Sequence, residues 1–186
     1  PELILIRQGL EKYPEIKPIK PSAQPKHWLP EMSCITQDQH LAVQAIIKVA
    51  RGHRNRPLVL TADRGRGKSS ALAIAAAELL RRAENKLKII ITAPHAQALE
   101  VFFFQLKKSL PAASFQPNKV CYGQNILEFI PVDRLSLSLP ETRLLLVDEA
   151  AAIPVYLLEQ FSKHYHRIVF SSTQHGYEGA GRGFTL

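Results

Sequence analysis

Cysteine is scarce in this sequence, and its scarcity excludes two classes of protein. Cys34 and Cys121 are the only two, far apart and without C-x-x-C spacing, so neither a disulfide framework nor a zinc site is indicated. A reduced, cytoplasmic setting is the expectation that follows. Long apolar runs are also missing: none approaches the ~20 residues that span a bilayer, so the chain reads as soluble, with no membrane partner. The opening "PELILIRQGL" lacks the charged-then-apolar arrangement of a signal peptide, and with Pro1 first and "GRGFTL" last both ends read as cut. Repeats and low-complexity segments are absent too.

What is present is an ordinary globular composition, 46% apolar and 22% charged over 186 residues, enough for one domain with a real core. The net charge of +8 is unevenly spread. Between Lys48 and Lys88 there are 11 Lys/Arg against 3 Asp/Glu, which leaves the rest of the chain neutral. Such clustering favours an anionic partner, nucleotide or nucleic acid.

Residues 1–32 hold 6 of the 13 prolines and no sustained period, and are expected to form an extended linker or docking arm from a preceding domain; residues 33–186 form the globular unit. Its first helix is signalled by Thr36 as N-cap, an apolar stripe through Leu41, Ala42, Ala45, Ile46 and Val49, and Gly52 as stop. An apolar run "PLVLT" (57–61), the loop "TADRGRGKSS" (61–70) and an alanine- and leucine-rich helix follow in the order strand, loop, helix. "KIIITAP" (88–94) leads into a helix around "AQALEVFFFQLKKSL". After a less legible stretch, 111–142, from which "NILEFIPVDRL" contributes a strand, come the strands "RLLLVDEA" (143–150) and "HRIVFSST" (166–173). Continuously apolar strands separated by helices predict an α/β fold, a parallel sheet covered on both faces.

The loop matches G-x-x-x-x-G-K-[ST] with Ala62 in the first glycine position and Gly67, Lys68 and Ser69 in the rest. Backbone N–H groups from Gly65 to Ser69 at a helix N-terminus suit a phosphate. Lys68 suits β- and γ-oxygens, and the Ser69 hydroxyl suits a magnesium ion. Asp148, 80 positions after Lys68, ends a strand expected directly beside the loop strand, where it can hold a magnesium-bound water; Glu149 can orient the attacking water, which implies hydrolysis. Gln39 has the paired donor and acceptor that an adenine edge requires. Thr173 and Gln174 are candidate γ-phosphate sensors, and Arg182, among Gly179, Gly181 and Gly183, suits a phosphate. His95 and His175 read as loop residues, and Trp28 and Phe102 to Phe104 as docking and core aromatics.

The order "TQDQ", "TADRGRGKSS", "ITAP", "VDEAAAIP" and "SSTQHGYEGAGRGF" resembles the helicase-like module of the bacterial tRNA(Met) cytidine acetyltransferases and their eukaryotic and archaeal RNA acetyltransferase relatives, over roughly residues 33–186. Ala180 stands where the family is expected to carry threonine in "GYEGTGR", and the glycine and arginine framework is intact. The resemblance implies a P-loop NTPase lobe, similar to the first RecA-like lobe of superfamily 1 helicases. It also implies an intact enzyme that acetylates N4 of the wobble cytidine of elongator tRNA(Met), using acetyl-CoA and ATP. The family's nucleotide contacts fall here on Gln39, on Thr61, Ala62, Asp63, Arg64, Gly65, Arg66, Gly67, Lys68, Ser69 and Ser70, and on Arg182. Neither an acetyl-CoA motif nor a second helicase lobe is found in these residues, so both belong to other sequence. A superfamily 1 helicase motor without acetyltransferase activity and a nucleotide-gated RNA-binding scaffold are the alternatives, which the parent gene and Glu149→Gln turnover separate.

Overall fold

The computed structural model describes residues 4–7 as backbone, and residues 34, 36–53 and 56–173 in full. Gln174, His175, Arg182, Trp28 and most of the proline-rich segment lie outside the described residues. The strands are β1 (Ile4–Arg7), β2 (Leu58–Ala62), β3 (Lys88–Thr92), β4 (Ser114–Gln116), β5 (Lys119–Tyr122), β6 (Asn125–Phe129), β7 (Leu144–Val147) and β8 (Ile168–Thr173). The helices are α1 (Gln37–Arg51), α2 (Lys68–Arg81), α3 (Glu100–Ser109), α4 (Val132–Ser138) and α5 (Val155–His164).

Among the described residues all eight strands join one sheet in the order β1-β2-β8-β7-β3-β6-β5-β4. The five central strands, β2 to β6 in that order, are parallel; β1 pairs antiparallel with β2, and β4 and β5 extend the other side as antiparallel ribbons. The parallel sheet expected from the apolar runs is therefore present, with antiparallel strands added at both flanks.

One expectation is corrected. The acid-bearing strand β7 is not beside the loop strand β2, because β8 lies between them. The reason is burial: Ile168 to Phe170 alternate between the two sheet faces and are buried on both, an environment only an interior strand offers. Thr173 is thereby placed opposite Ala62, at the start of the loop.

Helices α1, α2 and α3 cover one face and α4 and α5 the other, each over its own apolar cluster. Helix α2 is buried without interruption from Ala71 to Leu80. Its alanines supply the best helix propensity and a narrow cylinder, so neighbouring helices approach closely on both sides. Helix α1 begins as expected, with the Thr36 hydroxyl accepting from Gln39 N–H at 3.2 Å, and ends at Gly52, whose N–H donates to Lys48 C=O at 2.7 Å. The aromatic run splits: Phe102 is fully buried, edge-on to the half-buried Phe103, whereas Phe104 is 75% exposed, since three consecutive helical positions cannot share one face. Both cysteines are free thiols. No helix among the described residues is long and apolar enough to cross a membrane.

Candidate nucleotide-binding site

Parallel topology brings the candidate residues together at the edge where the central strands end. Strand β2 delivers Thr61 and Ala62, both buried, into the loop, and α2 starts at Lys68 directly after it. The turn is possible because Gly65 and Gly67 take left-handed backbone angles, φ 79° and 80°. At Gly67 a second restriction applies: a Cβ there would lie 2.9 Å from Gln39 Nε2. Arg64 and Arg66 are exposed, Asp63 is half-buried, and Ser69 and Ser70 sit half-buried in the first turn of α2.

Lys68 turns back into the loop. Its Nζ donates to Ala62 C=O at 2.6 Å and to Asp63 C=O at 2.9 Å. Burial lowers its pKa from the ordinary lysine value, against the pull of the Asp148, Asp63 and Glu149 carboxylates. The ammonium thus feels acids from both the loop and the end of β7, segments 80 positions apart in the chain.

Asp148 is 1% exposed. Its N–H donates to Thr92 C=O on β3 at 2.9 Å, and its Oδ1 accepts from Glu149 N–H at 3.0 Å. Glu149 has φ 49° and ψ 42°, a left-handed conformation rare for a residue with a side chain. Strained backbone of this kind costs on the order of 1–3 kcal/mol and collects at functional sites. Side chains alternate along a strand, and Leu144 and Leu146 face the cluster under α1 to α3, so Asp148 faces the same side, toward α2. Ser171 follows Val169 onto that side of β8. Asp148 Oδ2 and Ser171 Oγ are both buried without a hydrogen-bond partner among the described residues. A carboxylate oxygen and a hydroxyl left unmatched in this way are chemically suited to a hydrated divalent cation. Sequence reading did not single out Ser171; the signal was its place two residues before Thr173, at the point where the strand IVFSST turns from apolar to hydroxyl-bearing residues.

Gln39 is 5% exposed, and its Nε2 donates to Gly67 C=O at 3.4 Å, so the start of α1 braces the loop. Thr173 ends β8 beside Ala62. His95 is an exposed loop residue, as expected, and among the described residues no group of three or more His, Cys, Asp or Glu side chains is placed to hold a metal ion by itself.

Comparison with known proteins identifies the fold and the family. The Thermus phage P74-26 large terminase ATPase domain superposes with a TM-score of 0.54 at 18% identity, covering 78% of this chain and 68% of that one. The large terminase of a thermophilic bacteriophage also gives 0.54, at 12% identity, covering 70% and 38%. These likenesses establish the fold, an α/β P-loop RecA-like domain. In sequence, the tRNA(Met) cytidine acetyltransferase TmcA of Vibrio cholerae serotype O1 is 53% identical over 149 residues, 80% of this chain and 21% of the relative. That of Nitrosococcus halophilus is 49% identical over 156 residues, 84% and 21%, and that of Thermofilum pendens 38% over 195 residues, 91% and 24%. The chain thus spans about a fifth to a quarter of the length of these relatives. Residues 59–186 match the helicase domain of RNA cytidine acetyltransferase NAT10/TcmA, and the chain belongs to that family.

Proposed function

We propose that this chain is the ATP-binding and ATP-hydrolysing module of a cytoplasmic enzyme that acetylates N4 of the wobble cytidine of elongator tRNA(Met) with acetyl-CoA. The observation that carries the reading is the convergence of Lys68 with Asp148 and Glu149 at one sheet edge. Family membership supplies the substrate class, and a second helicase lobe and an acetyltransferase domain elsewhere in the enzyme complete the machinery.

In this reading Ser69 and Asp148 hold a magnesium ion, which when bound neutralises charge on the β- and γ-phosphates. Lys68 exchanges its carbonyl acceptors in the loop for phosphate oxygens. The exchange favours the nucleotide, because an ammonium partly stripped of water interacts more strongly with a phosphate than with two neutral carbonyls. Loop N–H groups from Gly65 to Ser69 are fixed before the ligand arrives, so they stabilise developing charge without reorganising. Glu149 takes the proton of the attacking water, and the bond from its N–H keeps the Asp148 carboxylate oriented meanwhile. Gln39 reaches the adenine edge from its post beside Gly67, Thr61 to Ser70 cradle the phosphates, and Arg182 adds a cation. Acetyl-CoA binds outside this chain.

The test is ATP turnover by the full-length enzyme with elongator tRNA(Met), with other tRNAs and with none. Stimulation by the first above the others is expected; turnover indifferent to every RNA overturns the link to substrate handling. The isolated chain is expected to bind ATP weakly and hydrolyse it very slowly, and brisk turnover abolished by Lys68→Ala would show that the second lobe is dispensable.

A further inference from the structure

At the opposite sheet edge, where the parallel strands begin, helix ends collect positive charge. Each covering helix runs antiparallel to the strands it connects, so its C-terminus arrives at this edge. Lys48 and Arg51 come from α1, Arg81 and Arg82 from the end of α2, and Lys107 and Lys108 from α3. Arg81 donates to Ser109 C=O and so ties the last turns of α2 and α3 into one surface. One or two cations per helix are expected from the helix dipole alone. The pairing pattern goes further. Glu78, a buried acid of this surface, is held by Arg81 at 2.6 Å and also by Arg82. The side chains of Lys48, Arg51, Lys107 and Lys108 are exposed and make no hydrogen bond or ion pair among the described residues. Between α1 and α2 lies an open groove of about 270 Å³ lined by Gln44, Ile47, Lys48, Arg51, Glu78 and Arg82.

We propose that this edge is a docking surface for the phosphate backbone of RNA, centred on the groove between α1 and α2 and separate from the nucleotide loop. Helix α2 has 14 residues, so the groove end lies about 20 Å from Lys68 at 1.5 Å per residue, and a phosphate there is not one of the nucleotide's. Chemistry selects RNA over a protein partner. The centre of a protein interface is depleted in charge and enriched in aromatics, whereas Ile47 is the single apolar residue lining this groove. Unpaired lysine and arginine heads on flexible stems at the ends of α1 and α3, on either side of the Glu78-paired arginines of α2, match a chain of regularly spaced phosphates and carry no base-reading geometry. The proposal rests on the reading that the parent enzyme handles RNA.

The test uses the full-length enzyme with Lys48→Ala and Arg51→Ala combined. Both side chains are exposed and unpartnered, and alanine preserves the helix. Affinity for tRNA is measured from 50 to 200 mM salt, beside affinity for a non-hydrolysable ATP analogue. Binding roughly tenfold weaker, with the log-log salt slope reduced by about 1–2, is expected, because each phosphate contact contributes about 0.7–0.9 to that slope. Analogue affinity stays the same. Unchanged tRNA affinity and slope overturn the proposal, and so does a fall in melting temperature with RNA binding intact, the mark of a face that packs on another domain. Lys68→Ala in the same assay keeps the two readings distinct: it removes hydrolysis and leaves the salt slope in place.

Discussion

At the edge where the parallel strands end, Lys68 and Asp148 are withdrawn from solvent and answer one another beside the exposed Arg64 and Arg66; where the strands begin, Lys48, Arg51, Lys107 and Lys108 stand in solvent and answer nothing among the described residues. Lys68 is half-buried and feels the Asp148 and Glu149 carboxylates, with Asp148 1% exposed. Lys48, Arg51, Lys86, Lys107 and Lys108 project from helix ends and connections on the other side. The basic window of the sequence is therefore two populations. Arg64, Arg66 and Lys68 belong to the loop, and the other described cations between Lys48 and Lys88 belong to the opposite edge. A single charge count merges groups that the sheet topology sends to opposite edges, and among the loop cations only Lys68 is withdrawn from solvent, where charges interact at lower effective dielectric than the exposed ones that salt screens.

The sharpest way to break this contrast is at Glu149. Glu149→Gln in the full-length enzyme is expected to lower ATP turnover ~10²–10⁴-fold, the usual worth of a positioned proton acceptor, with ATP binding retained; unchanged turnover would remove Glu149 from the role. Lys68→Ala comes next, with a loss of ~10²–10³-fold in turnover, as for deletion of one preorganised charge partner. Its effect on stability has a definite sign with pH. The folded pKa of Lys68 lies below the ordinary 10.5, so its burial penalty is fully present below the folded value and is relieved as pH rises toward 10.5. Melting curves of the ligand-free protein from pH 7 to pH 10.5 should show the variant losing that part of the dependence.

The opposite edge responds in stability instead. Asn125 opens β6 there, and its Nδ2 donates to Leu80 C=O at 2.8 Å while its Oδ1 accepts from Leu87 N–H at 2.9 Å, tying the end of α2 to the start of β3. Asn125→Ala strands both backbone groups and is expected to destabilise by about 2–6 kcal/mol in denaturant titration, at about 1–3 kcal/mol for each unmatched group, with nucleotide affinity kept. The smallest effect belongs to Tyr165, whose hydroxyl donates to Pro140 C=O at 3.2 Å and whose pKa burial pushes up to about 12. The unfolded chain loses that proton near pH 10, the folded one only near 12, so stability falls through this window. Tyr165→Phe should flatten the fall and leave neutral-pH turnover unchanged.

Much of the site was legible because its signals are local. Gly67, Lys68 and Ser69 between an apolar strand and an alanine-rich helix, and acids at the end of a second apolar strand, report backbone geometry within a few residues. Asn125 was not legible, since an asparagine two positions after a turn glycine reads as a turn residue until Leu80 and Leu87 are brought to it. Ser171 was hidden for a similar reason: its hydroxyl matters only because Asp148 faces the same side of the sheet.

By itself the sequence determined helices α1 to α3, the apolar strands, the loop, the acid pair and the family to which they belong, because periodicity, turn chemistry and motif spacing act along the chain; α4 and α5 emerged only in the structure. Only the tertiary structure decided that β8 separates β2 from β7, that Lys68 rests on its own loop carbonyls, and that three helices deliver their basic ends to one edge. Those outcomes depend on strand order and crossover direction, which are set by contacts between residues far apart in sequence and leave no local mark in it.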